Sequence, residues 1–271
     1  MSALRVYVEG VGLWSPQLAG FASLRQLLAG HAPPPPPPPP RPEAAMLPPN
    51  ERRRAPESVR LAVEVASQAV AMSGRDGSTL ACVFASSHGD QAITDYMCAS
   101  LARAAAELSP IRFHNSVHNA PVGYWTIANG CHAPSTAVAA QRASFGAGLL
   151  EAATQVLAGQ CPVLLVCSDT EGYGPLREVT GCTQSFGCAL LLAPGAGPAT
   201  LARLELQLGP AHAASALDEP LAGWFAANPA AASLPLLALL ASADGRCHIA
   251  AGASLGLQID LTGIDPPESV A

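Results

Sequence analysis

The sequence predicts a layered α/β fold with a mostly parallel central sheet, and three observations support it. Buried strands alternate with Ala-rich helical stretches from Val6 to Leu192, as they do in α/β proteins. Residues 162–166 form a continuous apolar run, which is typical of a strand buried on both faces. Residues 143–157, just before it, are rich in side chains that lose little on entering a helix. The pattern therefore favours α/β over an all-helical or an all-β protein.

The composition indicates a globular protein and argues against nucleic-acid binding. The chain has 271 residues, enough for one large domain or two small ones. It is 49% hydrophobic and only 13% charged, which indicates a heavily buried globule. The net charge of −6 and the 14 basic residues argue against nucleic acid as the main partner.

Eight cysteines show no CxxC pair and no zinc-like histidine spacing. Most of them lie in apolar runs, so we expect buried, reduced thiols and no metal site. No signal peptide opens the sequence, and no apolar run is long enough to span a membrane. We therefore expect a cytoplasmic protein.

The first elements are read from alternation and turn residues. Residues 5–14 predict a strand that ends in a Gly turn and is followed by Ser15-Pro16. Residues 21–28 predict a helix ended by Gly30. Eight prolines at 33–40 must be extended and lack backbone donors. A stiff exposed loop explains this run better than a ligand for an aromatic groove.

The only dense basic cluster consists of Arg52, Arg53 and Arg54, just before a predicted helix at residues 57–72. Such a cluster can receive an acidic surface or a phosphate. The alternative is an ordinary solvated start of the helix. Residues 80–85 then predict a strand and residues 91–108 a second helix.

Residues 111–130 carry two histidines, Tyr124 and Trp125 in a short span. His114 and His118 are four residues apart, which on a helix would place both on one face, as in metal sites. Pro121 and the asparagines favour a loop instead, and no third ligand is evident. We therefore expect no metal here.

Residues 134–168 are the stretch around which the chain is organised. A short strand at 136–140 is followed by a sharp turn, a helix from 143 that Gly159 ends, and a buried strand. This layout often presents a nucleophile at a helix N-terminus, where free N–H groups favour an anion. The turn itself carries Gln141 and Arg142, and neither is a nucleophile.

This stretch resembles the nucleophile elbow of the β-ketoacyl synthases, which belong to the thiolase superfamily. Matching Pro134 and Gly159 to the family's proline and glycine places Arg142 where the family has its acyl-accepting cysteine. A slip of one residue places Gln141 there, and related chain-length-factor subunits often carry Gln at that position. In either case the thiol is absent.

Other segments carry the same resemblance. The segment SVHNAPVGYW, residues 116–125, is closest to a short ketosynthase-like family linked to aryl-polyene and related pigment pathways. Thr170 and Glu171 fit the family's Gly-Gly-Thr-Glu motif, and residues 184–194 fit its Phe-Gly turn and next strand. The resemblance implies a thiolase-like α-β-α fold with a near-complete N-terminal half at 1–195. Residues 196–271 are expected to form a reduced C-terminal segment packed on the same core.

Beyond residue 195 the resemblance fades. Residues 201–208 predict a strand, 234–241 a helix, and 246–251 with 255–261 a closing hairpin. Active ketosynthases keep two histidines in this half, in His-Gly-Thr and Gly-Gly-His contexts. His212 and His248 have neither context, so we expect them to be ordinary histidines.

Decarboxylating condensation needs a thiolate that holds the acyl chain and groups that stabilise an enolate. The resemblance therefore implies a non-catalytic, chain-length-factor-type subunit without a cofactor, which would pair with an active β-ketoacyl synthase and shape its acyl tunnel. Acyl carrier protein is a further expected partner, with Arg52, Arg53 and Arg54 as its contacts. The alternative is an acyltransferase or hydrolase with a non-Cys nucleophile, for which Ser144 is the nearest hydroxyl.

Thiolase-fold relatives work as dimers, and the segment before the elbow lies at their seam. In this chain that segment holds an aromatic-rich set in a protein with 5% aromatic residues. Its interface or tunnel candidates are His114, His118, Asn119, Tyr124, Trp125 and His132. The alternative is that Tyr124 and Trp125 fill the core of the chain itself.

Overall fold

A computed structural model describes residues 3–30 and 39–264 of the chain. The eight strands of the described residues are β1 (Leu4–Trp14), β2 (Ala81–Ala85), β3 (Ser135–Val138), β4 (Val163–Asp169), β5 (Phe186–Ala193), β6 (Ala202–Pro210), β7 (Asp244–Ala250) and β8 (Leu255–Gly263). The α-helices are α1 (Phe21–Leu28), α2 (Pro49–Arg54), α3 (Glu57–Ser73), α4 (Gln91–Arg103), α5 (Pro110–His114), α6 (Ala120–Asn129), α7 (Ser144–Gly159), α8 (Pro175–Thr180), α9 (Leu221–Ala227) and α10 (Leu234–Ser242). The polyproline prediction falls largely outside the described residues.

All eight strands form one sheet in the order β3-β2-β4-β5-β1-β6-β8-β7. Only the β2–β3 and β2–β4 pairs are parallel, and the other five pairs are antiparallel. The prediction of a mostly parallel sheet is therefore wrong. Its basis was the alternation of strands with helices together with the apolar run in β4, and neither signal reports strand direction. The C-terminal hairpin of β7 and β8, by contrast, is confirmed.

Helices cover both faces of the sheet, which confirms the α-β-α layering. On one face α3 and α6 pack around side chains such as Phe84, Leu164 and Trp14. On the other face α1, α7 and α10 pack around Val8, Leu165 and Leu190. Adjacent side chains of β4 therefore pack in the cores on opposite faces of the sheet, because side chains alternate across a strand. Both faces of β4 are buried, and for this reason its sequence is continuously apolar and does not alternate with polar residues.

The contact between β1 and α3 depends on two glycines. A Cβ atom added at Gly10 would lie 2.0 Å from the carbonyl oxygen of Ala69, and one at Gly12 would lie 1.9 Å from that of Val65. Both separations are far below van der Waals contact. The helix backbone therefore lies directly on the strand, and only glycine fits at these two positions.

The two edges of the sheet differ. β3 pairs with β2 on one side, and Ser135 and Ala137 are exposed. At the far edge, the chain after β6 lies along β7: the N–H of His248 donates to Ser215 Oγ (3.0 Å), and the N–H of Ser215 donates to the carbonyl of His248 (3.3 Å). Of the two edges, β3 therefore offers unpaired backbone groups and β7 is partly covered.

Two predictions for the helices differ from the structure. Helix α4 ends at Arg103 and not at 108, because Ser109 and Pro110 form the capped start of α5. The stretch at 111–130 is largely helical, since Pro121 lies in the first turn of α6, where proline is tolerated. Helix α7 ends at Gly159, as predicted, and the left-handed residue that follows it is Gln160, with φ of 47°. Within the described ranges, no helix combines the length and apolar character that crossing a membrane requires.

Candidate functional site

The turn between β3 and α7, residues 139–143, is the candidate site, and we call it the elbow turn. Gln141 stands at its apex with φ of 52°, a left-handed conformation that is uncommon outside glycine. Arg142 follows it, and both side chains are exposed. The strand–turn–helix layout predicted from sequence is therefore present. The two exposed side chains at the N-terminus of α7 are thus an amide and a guanidinium, and neither group is a nucleophile.

The Arg142 side chain turns away from the head of its own helix. Its guanidinium donates a hydrogen bond to the carbonyl of Ala226 (3.2 Å) in the last turn of α9. The carbonyl end of a helix is the end that favours a cation, whereas the positive end of α7 does not. An arginine at the start of α7 is expected to be unfavourable because its charge meets the positive end of the helix. The hydrogen bond to α9 and the exposure to solvent reduce this electrostatic cost.

Ser144, the alternative nucleophile, belongs to the turn itself. Its side chain is buried, and its hydroxyl donates to the carbonyl of Gln141 (2.7 Å) and accepts from the N–H of Ala140 (2.9 Å). The only other polar contact of this hydroxyl among the described residues is Ser87 Oγ at 3.2 Å. With no histidine or carboxylate bonded to it, Ser144 has no base that would activate it.

A buried carboxylate beneath the elbow turn was not found from sequence. Asp169, the last residue of β4, is 2% exposed. It accepts hydrogen bonds from Ser86 Oγ (2.8 Å) and from the backbone N–H groups of Ser87 (2.9 Å) and His88 (3.1 Å). The donors follow β2, and the carboxyl ends of the parallel strands β2 and β4 meet at this edge. The signal for it was the polar run SSHGD directly after β2 together with the polar pair SD that ends the apolar strand β4.

The hydrogen bonds around Asp169 hold three segments together. Ser87 Oγ donates to the carbonyl of Gln141 (2.5 Å) and so joins the loop after β2 to the elbow turn. Asn228, also buried, donates through Nδ2 to the carbonyls of Asp169 and Gln184, both at 2.8 Å. Because these groups are mutually satisfied, the cluster acts as a support for the turn and presents no free acid or base.

Burial raises the pKa of Asp169, although the hydrogen bonds from Ser87, Ser86 and His88 oppose the rise. The folded state therefore binds this proton more tightly than the unfolded state. The stabilising contribution of Asp169 is complete below the unfolded value, about 3.9, and decreases as pH rises through the folded pKa.

Asp169→Asn removes this titration and keeps an oxygen for the three donors. We expect its stability relative to wild type to improve as pH rises from about 4 to about 7. Urea unfolding of both proteins across that range measures the difference. A difference independent of pH would show that Asp169 does not titrate with a raised pKa.

The thiols near the site are not activated. Cys182 is buried close to the elbow turn, and burial raises its pKa. Burial also raises the pKa of Cys188 in β5 to about 12. Because the thiolate is the reactive form of cysteine, neither of these residues replaces the missing nucleophile.

The six interface candidates are not equivalent. His114, Asn119 and His132 are exposed, Tyr124 is half-buried, and His118 is half-buried with Nε2 3.0 Å from the carbonyl of Ser86. Trp125 is 1% exposed and packs in the core beneath α3. Trp125 therefore fills the core of the chain itself, because the helical phase of α6 turns it inward.

Arg52, Arg53 and Arg54 lie just before α3, as predicted, and they form the end of the short helix α2. Arg53 and Arg54 are exposed, and Arg53 bonds to Asn50. Arg52 is half-buried and lines an open groove of about 480 Å³ with Arg53, Arg60 and Glu43. Within residues 3–30 and 39–264, no group of three or more His, Cys, Asp or Glu side chains could hold a metal.

Comparison with known proteins places this geometry among ketosynthases. A family described as "Beta-ketoacyl synthase, N-terminal domain" matches residues 28–254. No curated protein matches the chain by sequence.

Solved structures match over most of the chain. One is a ketosynthase (ApeO) in complex with its chain length factor (ApeC) from Xenorhabdus doucetiae, with a TM-score of 0.71 and 25% identity over 95% of this chain and 99% of the matched chain. A type II polyketide synthase acyl-carrier protein in complex with its ketosynthase, AntDE:AntF, matches with a TM-score of 0.70 and 12% identity over 96% and 99%. A β-ketoacyl synthase from Burkholderia phymatum STM815 matches with a TM-score of 0.54 and 14% identity over 89% and 71%.

Proposed function

Because this chain belongs to the β-ketoacyl synthase family, we propose that it is a non-catalytic, chain-length-factor-type subunit that pairs with an active β-ketoacyl synthase. In this role it would help to shape the partner's acyl tunnel during elongation of a polyketide or fatty-acid-like chain of the aryl-polyene type. One observation carries the proposal: the elbow turn is intact, but Gln141 and Arg142 stand where a nucleophile is presented.

The chemistry of condensation supports the absence of activity in the isolated chain. The acyl group has to be held covalently, and the enolate formed on decarboxylation needs donors aimed at its oxygen. Ser144 is committed to the turn and Cys182 is buried with a raised pKa. His212 and His248 contact each other edge to face, with ring centroids 5.5 Å apart, and make no hydrogen bond to the elbow turn among the described residues.

A surface that could receive the partner lies on α4, α5 and α6. We call it the α4–α6 surface, and its exposed apolar side chains are Leu101, Ile111, Phe113, Val117 and Ile127. Phe113 is 60% exposed and Ile127 is 83% exposed. Clusters of exposed apolar side chains mark interaction sites. The open edge strand β3 follows α6 in the chain and adds unpaired backbone groups to the same region.

Two features beside this surface suit an acyl chain and its carrier. An apolar groove of about 390 Å³, which includes Val117, Tyr124 and Ile127, runs between α2 and α6, and we propose it as part of the tunnel wall. Glu51 of α2 lines this groove, and the three arginines follow Glu51 at the end of the same helix. The basic end of α2 therefore lies next to the groove. An acidic carrier protein would be attracted to Arg52, Arg53 and Arg54.

The pairing is tested by co-expressing the chain with a ketosynthase encoded beside it. We expect a complex that Phe113→Asp or Ile127→Asp weakens by about 30-fold or more, which corresponds to the ~2 kcal/mol of a central contact. Leu28→Asp is the control, because Leu28 is 44% exposed at the end of α1, in the opposite helical layer. Sedimentation gives the affinities. Equal binding by all three variants would place the interface elsewhere.

The alternative, an acyltransferase or hydrolase that uses a non-Cys nucleophile, predicts a different result. If the proposal holds, incubation with an acylated carrier protein leaves the intact mass of the chain unchanged, and the purified chain does not hydrolyse the thioester. An adduct, or hydrolysis abolished by Ser144→Ala, would favour the alternative. Cys182→Ala serves as the matched thiol control.

A further inference from the structure

A small polar cavity lies between the segment that joins α5 to α6 and the loop that follows β2. Its volume is about 20 Å³, and its polar lining is contributed by Ser58, Ser86, Asp90, Asn115, His118 and Ser168. A site needs about 10–15 Å³ to hold one water molecule. The cavity is therefore of the size that one water fills.

One group in this lining lacks a protein partner. The Asn115 side chain is 4% exposed, and its Oδ1 accepts no hydrogen bond from any residue within the described ranges. Buried polar atoms in native proteins are almost always paired with protein or with ordered water. We therefore expect a hydrogen-bond donor near Asn115 Oδ1, and the cavity that Asn115 lines has room for one.

The hydrogen bonds of Asp90, another residue of the lining, indicate whether that donor is neutral or a cation. Asp90 Oδ1 accepts from the N–H of Ile93 (2.8 Å) at the start of α4, and Oδ2 accepts from Ser58 Oγ (2.7 Å). The charge of Asp90 is thus already stabilised, and no cation is needed to neutralise it. Each carboxylate oxygen accepts more than one hydrogen bond, so a second acceptor faces the cavity.

We propose that the cavity binds one ordered water molecule. The water donates to Asn115 Oδ1 and to a carboxylate oxygen of Asp90, and the hydroxyl of Ser168 is placed to donate to it. Three partners are the usual number for a buried water. This inference is independent of the proposed function, because it depends only on the cavity and its lining.

The water has a structural consequence for the candidate site. Ser86 lines the cavity and also donates to Asp169, which supports the elbow turn. Asn115 and His118 belong to the segment that carries Val117 of the α4–α6 surface. The water therefore joins this segment, through Asn115, to the loop that follows β2, through Asp90.

A high-resolution crystal structure of the full chain is the direct test. We expect one density peak in the cavity, with contacts of about 2.7–3.0 Å to Asn115 Oδ1 and Asp90. Asn115→Asp keeps an acceptor and should keep the peak, whereas Asn115→Leu should lose it. No peak in the wild-type protein overturns the proposal. A peak with contacts of about 2.3–2.6 Å also overturns it, in favour of a cation such as Ca²⁺.

A second measurement requires no variant and so covers the case in which Asn115→Leu does not fold. In the wild-type chain, a long-lived internal water gives nuclear Overhauser contacts to nearby amide protons, here those of Gly89 and Asn115. We expect these contacts at the water frequency. Their absence in a spectrum that shows the two amides clearly would contradict the proposal.

Discussion

Truncation of Trp125 to alanine should destabilise the chain itself, by about 3–5 kcal/mol. Trp125 is the largest of the fully buried side chains and fills the core between α6 and α3. Its removal leaves a cavity that the close-packed surroundings fill only in part. Chemical denaturation of the isolated chain, followed by circular dichroism, measures the loss.

Ile127→Ala is the matched control, because Ile127 lies two residues further along α6 and is 83% exposed. We expect this change to alter stability by less than about 0.5 kcal/mol, while it weakens binding to the partner. If Trp125→Ala left the unfolding midpoint unchanged and reduced only association, Trp125 would belong to the interface after all.

Gly12→Ala should destabilise the fold by about 3 kcal/mol or more, at the upper end of what overpacking costs. The added methyl group would lie 1.9 Å from the carbonyl oxygen of Val65. Backbone atoms cannot move aside as a flexible side chain can, so α3 as a whole has to shift away from β1. Since α3 also packs on β4 and β5, the shift would disturb the entire layer.

Gly123→Ala provides the opposite expectation from the same substitution. Gly123 lies inside α6, and beyond the adjoining backbone of that helix a Cβ atom there would meet no atom within 4 Å. Because alanine has the higher helix propensity, we expect a gain of about 0.5–1 kcal/mol. Thermal unfolding of the two variants side by side gives both values. A Gly12→Ala protein as stable as wild type would mean that the strand and helix are not in direct contact.

The sequence predicts the local layout of the elbow turn well and the strand directions poorly. Pro134, the Ala-rich helix and the apolar run of β4 are signals within one segment, so the strand, turn and helix follow from them. The antiparallel direction of β5 depends on how the chain returns to the sheet, which local periodicity does not record. Burial on both faces is equally compatible with a mixed sheet.

Two side chains show why the site itself was only partly predictable. The composition of α6 indicates that Trp125 is buried somewhere, but core and interface share the same preference for aromatic residues. Its inward direction follows from the helical phase set by Val122, three residues earlier. The Asp169 cluster unites residues from 86–88, 169 and 228, which are brought together only by the pairing of β2 with β4 and by the fold of the C-terminal segment.

The unequal edges of the sheet have a consequence for stoichiometry. A sheet with two open edges can add copies at both ends and grow into a filament, whereas one open edge permits a single junction. Here β3 is open, while Ser215 occupies the backbone groups of His248 at the other end. Pairing through β3 would thus use the more open of the two edges, which favours an assembly of two subunits over growth along the sheet.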